Sequence, residues 1–196
     1  MRRRLIGRVA SMSLAAFSLA IATPARTEGP HVRPVREYVM AHVMPWLSDP
    51  IILEAIKAQN AANAALDQAA IEALDQKWRF EVEANEHPMI DSVLASGVST
   101  LLKAKQEASW GTITEVFVMD ARGLNVGQSD ITSDYWQGDE EKFTRSFGAG
   151  PHALFVDAAA RDESTQMLQS QASMTIVDES GKPIGAITVG VNLDQL

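Results

Sequence analysis

The chain has 196 residues, 46% hydrophobic and 21% charged, which is the balance of a folded globular protein rather than a disordered one. There is no cysteine, so a disulfide framework, a thiolate metal site and a cysteine nucleophile are all excluded. The net charge is −8; the first 25 residues hold four arginines and no acid, and without them 13 basic groups face 25 acidic ones, a net charge of −12. Such a surface repels phosphate backbones and anionic headgroups, so nucleic-acid binding is disfavoured.

Residues 1–25 have the three parts of an export signal: a positive start from Arg2 to Arg8, an apolar run from Val9 to Ala22, and small-residue cleavage sites ending at Ala22 and Ala25. The run falls short of the roughly 20 apolar residues that a spanning helix needs, so a cleaved signal and a periplasmic location are expected. An uncleaved anchor or a buried helix is the alternative. Arg2-Arg3-Arg4 also fits a twin-arginine signal loosely, which leaves the export route open.

Residues 26–66 read as an N-terminal helical segment. Val35, Val39, Val43 and Trp46 recur at helical spacing. Ser48-Asp49-Pro50 then restarts the chain with a capping acid and a proline at the first helical position. Ile52, Ile56 and Asn60 share a stripe on the next helix. Asp67 caps another helix, with the stripe Ile71, Leu74, Trp78 and Val82. After His87-Pro88, one helix reaching Trp110-Gly111 is predicted, with Ile90, Val93, Leu94, Val98, Leu101 and Leu102 on its face.

At Thr112 the hydrophobic period changes from helical to alternating. Ile113 to Met119 reads as a strand, Asp120-Ala121-Arg122-Gly123 as a turn closed by the glycine, and Leu124 to Asp130 as the return strand. A polar, aromatic loop follows from Thr132 to Phe143, with Asp139 expected to cap a short helix. Ala153 to Ala159, Thr165 to Val177 and Ile184 to Leu193 complete the strands, with turns at 161–164 and 178–183. The predicted class is α+β: N-terminal helices packed on one face of a five-stranded antiparallel sheet.

The second half resembles the single Cache (PDC, PAS-like) extracytoplasmic sensor domains of bacteria. The residues that carry the resemblance are Val116-Phe117-Val118-Met119-Asp120 with Gly123, Ser129-Asp130, and the closing pair Ile176-Val177-Asp178, Gly181, Pro183-Ile184-Gly185-Ala186-Ile187, Val189-Gly190-Val191 and Leu193. Ala73-Leu74-Asp75-Gln76-Lys77-Trp78-Arg79 sits where such domains carry their helical approach, and the likeness covers residues 67–196. It implies a sheet with a long helix behind it. It also implies a small organic ligand (a carboxylate, an amino acid or an amine) held on the sheet under the loop from Thr132 to Phe147. Family members are typically flanked by membrane spans and feed an output domain. This chain stops at Leu196, just past its last strand, and resembles a solo, soluble version whose signal would leave through a membrane-bound partner protein.

Within that loop Tyr135 and Trp136 pair a large π-face with a polar tip, as ligand gripping requires; plugging the sheet edge is the structural alternative. Arg145 is the nearest cation with a fork suited to a carboxylate, and Phe147 closes the loop. Asp157 could receive an amine or point to water, and Asp130 and Asp134 stand at the loop mouth, where turn capping is the alternative. Enzymatic readings find no support: the four histidines have no metal-ligand spacing, there is no nucleophile elbow, and Gly181-Lys182 is a hairpin turn. No motif requires a cofactor. A ligand-free interaction domain, using the alanine-rich surface from Ala58 to Ala73, is the second reading.

Overall fold

The computed structural model describes residues 28–161 and 167–196, so the export signal and the 162–166 part of the predicted turn and strand lie outside the described residues. Among the described residues six helices and six strands follow one another: α1 Val32–His42, α2 Pro50–Ala62, α3 Gln68–Val82, α4 Pro88–Leu94, α5 Gly97–Glu107, β1 Ile113–Asp120, β2 Asn125–Gln128, α6 Glu141–Thr144, β3 Leu154–Val156, β4 Ala160–Arg161, β5 Leu168–Val177 and β6 Pro183–Asn192. A 3₁₀ turn, Met44–Ser48, links α1 to α2. The sheet is open and antiparallel in the order β2-β1-β6-β5-β3, with β4 paired to β5 off that path. This is the α+β architecture expected.

Alternation along the strands gives the sheet two unlike faces. On one, Val116, Val118, Met174, Ile187, Val189 and Val191 form the main core with α1, α2 and α5, through Val35, Val39, Ile52, Ile56, Val98 and Leu102. On the other, Phe117, Met119 and Ala186 pack under Phe143 and Phe147. A third cluster, Ile71, Trp78, Ile90, Leu124 and Tyr135, lies between α3, α4 and the loop after β2.

Local chemistry starts the helices where it should. The Asp49 side chain accepts from the Ile51 N–H at 3.0 Å and the Asp67 side chain from the Ala70 N–H at 2.9 Å. The predicted helix from Pro88 to Trp110 is instead two helices. Ser96 is extended and its Oγ accepts from the Ser99 N–H at 3.1 Å, so Ser96-Gly97 ends one helix and caps the next. Val82 is also corrected: it is 39% exposed, and Glu81 turns inward in its place at 3%. Glu81 Oε2 accepts from the Met89 and Ile90 N–H groups at 2.7 and 3.1 Å, satisfying two orphan donors at the start of α4 that outcompete an apolar contact. Asp139 does not cap α6: Glu140 takes that position, without a side-chain cap bond. The strand predicted over 153–159 narrows to Leu154–Val156, with Ala160–Arg161 pairing separately to β5.

One buried acid joins the layers. Asp120, 0% exposed at the end of β1, accepts on Oδ1 from the Arg122 and Leu124 N–H groups at 2.8 and 3.0 Å. Its Oδ2 accepts from Gln59 Nε2 and Asn63 Nδ2 at 3.0 and 2.9 Å. Asn60 adds two bonds beside it, donating to the Ile184 carbonyl at 2.7 Å and accepting from the Ala121 N–H at 2.8 Å. Gly123, at φ 81°, turns the chain back within this constellation.

Replacing Asp120 by alanine takes the acceptor from the Arg122 and Leu124 N–H groups and from Asn63 Nδ2, while Gln59 Nε2 keeps the Leu124 and Asn125 carbonyls at 3.3 and 3.2 Å. Asp120→Ala is expected to lower the unfolding free energy by about 3 kcal/mol, read from urea melts, with the slope unchanged.

Candidate ligand-binding site

The sheet face opposite the main core carries a row of side chains set by strand register: Gln128, Phe117, Thr188, Ser173 and Phe155 lie side by side across five strands. Ser173 and Thr188, both 0% exposed, share a hydrogen bond of 2.9 Å. One step along, Glu115 and Gln171 flank Gly190, and Gln171 Nε2 donates to Glu115 Oε1 at 2.8 Å across it. A Cβ at position 190 would sit 2.8 Å from Glu115 Cγ, so the glycine is what lets that side chain cross.

The loop after β2 closes over this face. Phe143 and Phe147 stack at 4.9 Å and rest on Phe117, Met119 and Ala186. Lys142 Nζ lies 5.5 Å from the Phe117 ring centre and pairs with Glu140 at 2.9 Å. The Arg145 guanidinium lies 3.9 Å over the Phe155 ring, and its Nη1 is 3.1 Å from Glu141 Oε2. Past β3, the Asp157 N–H donates to the Gln171 carbonyl at 2.8 Å, which puts Asp157 beside Gln171, half-buried. Arg145, Phe147 and Asp157 therefore belong to this covered face, with Glu115, Gln171 and Lys142 around them.

The other four sequence-derived residues lie elsewhere on the loop. Tyr135 is 8% exposed and stacks on Trp78 of α3 with ring centres 5.4 Å apart. Trp136 Nε1 donates to the Arg122 carbonyl at 2.8 Å, and its strand-like bridge to Leu124 extends the β2 edge. Asp134 pairs with Arg79 Nη2 at 2.8 Å. Asp130 pairs with Lys103 of α5 at 2.7 Å; burial alone would raise its carboxyl, but bonds from Lys103, Gln106 and Ser129 outweigh it and hold the group below its ordinary value. The seven residues thus fall into three places rather than one.

What fixes the loop is a set of α3 side chains that sequence reasoning placed only as helix. Asp75, 7% exposed, accepts on Oδ1 from the Tyr135 and Trp136 N–H groups at 2.9 and 3.0 Å, while Arg79 Nε reaches its Oδ2 at 2.7 Å. Trp78 Nε1 donates to the Thr132 carbonyl at 2.8 Å. The available signal was an acid and a tryptophan three residues apart on one helical face, followed by arginine.

Between β2 and the loop lies a knot of buried amides. Asn125 Nδ2 donates to Gln128 Oε1 and Thr132 Oγ1 at 3.0 Å and to the Asp134 carbonyl at 3.2 Å, and Gln137 Nε2 donates to that same carbonyl at 2.9 Å. Asn125 Oδ1, Gln128 Nε2 and Gln137 Oε1 are buried without a partner. Two acceptors and a donor are thus left open in one small region, where buried polar groups are ordinarily satisfied by protein, water or a bound molecule. Among the described residues no group of three His, Asp or Glu side chains could hold a metal ion, and no helix is long and apolar enough to cross a membrane.

No family model matches the chain, and no curated protein matches it. Among solved structures it is similar to the sensor domain of the V. cholerae histidine kinase DctB, at 11% identity and TM-score 0.45, covering 83% of this chain and 50% of that one. It is similar to the E. coli DcuS sensor domain at 15% identity and TM-score 0.37, covering 64% of this chain and 87% of that one. The sensory domain of the Campylobacter jejuni chemoreceptor Tlp3 with isoleucine bound matches at 16% identity and TM-score 0.37, over 85% of this chain and 65% of that one. The chain spans half the length of the DctB structure it matches.

Two outcomes follow from the pinned loop. Asp75→Ala is expected to cost about 2 kcal/mol and to raise amide exchange at Tyr135 and Trp136 well above that of β1, read by hydrogen–deuterium exchange. Burial first, and the Asp120 charge second, push the Tyr135 hydroxyl up to about 12 from 10.0. A raised folded value means stability is whole below the unfolded value and drains as pH climbs through 10 towards 12. An absorbance titration should therefore show Tyr135 neutral until the protein unfolds in alkali, and Tyr135→Phe should shift that unfolding to higher pH.

Proposed function

We propose that the chain is an exported, non-enzymatic sensor domain that captures a small organic ligand under the β2–β3 loop and reports occupancy to a membrane-bound signalling partner. The observation that carries this reading is the group of hydrogen-bonding atoms left open beneath the loop, on Asn125, Gln128 and Gln137. Farther across the same face the margin offers both signs of charge: Lys142 and Glu115 at β1, then Arg145 over Phe155 of β3 and Asp157 past it, at the sheet edge opposite the open amides. Arg145 would take a ligand carboxylate and Asp157 a ligand ammonium, with Phe147 against the apolar part, so an amino acid is the class that suits the margin best. Tyr135, Trp136, Asp134 and Asp130 serve that site by setting the loop's position, with Tyr135 and Trp136 closest to the open amides. The segment 1–25, with cleavage after Ala22 or Ala25, supports export to the periplasm.

A second reading keeps the fold and drops the ligand: α3 exposes Ala69 and Ala73, and Phe80 is 75% exposed, a surface suited to a protein contact. Light scattering after size exclusion separates the two, because a monomer with ligand-dependent stability fits only the first.

Thermal-shift measurements against amino acids, amines and small carboxylates should find a stabilising ligand, worth about 2.7 kcal/mol at a hundred times its dissociation constant. Arg145→Ala should remove the response to carboxylate-bearing ligands and Asp157→Asn the response to amines. A flat response across the whole panel would falsify the sensing role.

A further inference from the structure

An open groove lies on the helix side of the sheet, away from the loop. It encloses about 900 Å³ between α1, the 3₁₀ turn, α2 and the β3–β5 edge. Met40, Met44, Leu47, Leu53, Leu154 and Met174 make an apolar trough, and Met40 and Met44 remain 44% and 42% exposed on its walls. Thioether side chains of this kind adapt to the shape of what they cover. The volume is that of a small-molecule pocket.

The charges around the trough are unevenly used. Glu54, Lys57, His152, Asp178 and Glu179 gather on its rim, with Arg36 farther along α1. Lys57 is consumed by Glu179 at 2.7 Å. Asp178 accepts from the Ser180 hydroxyl and from the Ser180 and Lys182 N–H groups, and those bonds keep its carboxyl below the ordinary range, so it stays ionised. Glu54 has neither an ion pair nor a side-chain hydrogen bond among the described residues. Arg36 lies 3.8 Å from Glu28. Both cations that line the groove have an acid near them, Glu179 for Lys57 and Glu28 for Arg36, whereas two lining acids, Glu54 and Asp178, have no ion pair among the described residues.

We infer that this groove is a second binding site, for an apolar molecule bearing one cationic end: an alkylammonium-type ligand whose chain lies in the methionine-walled trough and whose charge meets Glu54. An alkyl carboxylate of the same length would bring its charge against Glu54 and Asp178. A small amine without a chain would leave the trough unfilled and forgo the burial of its apolar wall. The acidity of the whole surface favours the same sign of ligand. The site is independent of the loop-covered face.

The test uses the full chain labelled with ¹³C-methyl methionine, titrated with n-octylammonium chloride, sodium octanoate and methylammonium chloride. Octylammonium should move the Met40, Met44 and Met174 signals saturably and leave Met119, under the loop, in place. Octanoate should bind at least about five-fold more weakly, and methylammonium should give no saturable shift. Glu54→Gln, a surface change that leaves the fold intact, should weaken octylammonium about three-fold and leave octanoate no weaker, the scale of an exposed ion pair. Equal binding of octylammonium and octanoate, indifference to Glu54→Gln, or no shift at the three groove methionines would each overturn the assignment. A shift at Met119 alone would do so too, while speaking for a site under the loop.

Discussion

Everything in this molecule is hung on the carboxylate of Asp120. A charged group with no solvent exposure is tolerable only when its lone pairs are fully used, and here four donors use them. Two donors are backbone N–H groups of the β1–β2 turn and two are side chains at the end of α2, Gln59 and the capping Asn63. The turn thus cannot form its native shape without α2 in place, and α2 cannot slide along the sheet without exposing the charge. Gly185 adds a steric constraint beside it, since a Cβ there would collide with the Met119 carbonyl and press on Ile56. Direction comes from the polar lock and depth from the glycine.

A second buried acid, Asp75, plays the corresponding part for the loop. Its two backbone donors belong to consecutive residues, Tyr135 and Trp136, so one carboxylate fixes both the position and the orientation of the peptide between them. Trp78 and Arg79 brace the same stretch from one helical turn of α3. The loop is consequently anchored at one end to the α3–α4 layer and at the other, through Phe143 and Phe147, to the sheet. Any displacement of the loop across the sheet loads α3, because hydrogen bonds of about 3 Å to a buried carboxylate tolerate little stretching.

The elements were legible in the sequence because periodicity and turn chemistry are local. Asp49-Pro50, Asp67, Gly123 and the alternating β5 and β6 runs announced themselves through neighbours a few residues away. The errors arose where a distant partner decided. Ser96-Gly97 breaks a continuous apolar stripe because Ser99 Oγ must reach both the Val93 carbonyl and the Gln128 N–H of β2, and nothing within the helix foretells that. Glu81 displaces Val82 because α4 needs its N–H groups capped. At the site, aromatic character pointed to Tyr135 and Trp136, yet composition cannot say which layer a ring will stack on. Gln128 and Asn125 were overlooked because an amide in a short strand looks like any polar residue until its neighbours are known.

The two faces of the sheet make opposite demands on hydrogen bonding. On the helix side the inward strand residues are mostly valine, isoleucine, methionine and alanine, and the buried polar exceptions, Asp120 and Ser170, are bonded within the protein. On the loop side the same strands bury Ser173, Thr188, Thr175 and Gln128, each of which must find a partner. Ser173 and Thr188 answer one another, and Thr175 Oγ1 donates to the Gly150 carbonyl at 2.8 Å, but a hydroxyl with one donor and two acceptor sites is not exhausted by a single bond. Valine in place of Thr188, or alanine in place of Ser173, would fill similar volume with no such obligation. The loop side therefore keeps spare hydrogen-bonding capacity at its centre as well as at the amide knot on its edge, whereas the helix side is chiefly packing, with Asp120 bonded to four donors. That asymmetry follows from which residues alternate inward, and it suits the loop side to a polar ligand and the groove between the helices and the β3–β5 edge to an apolar one.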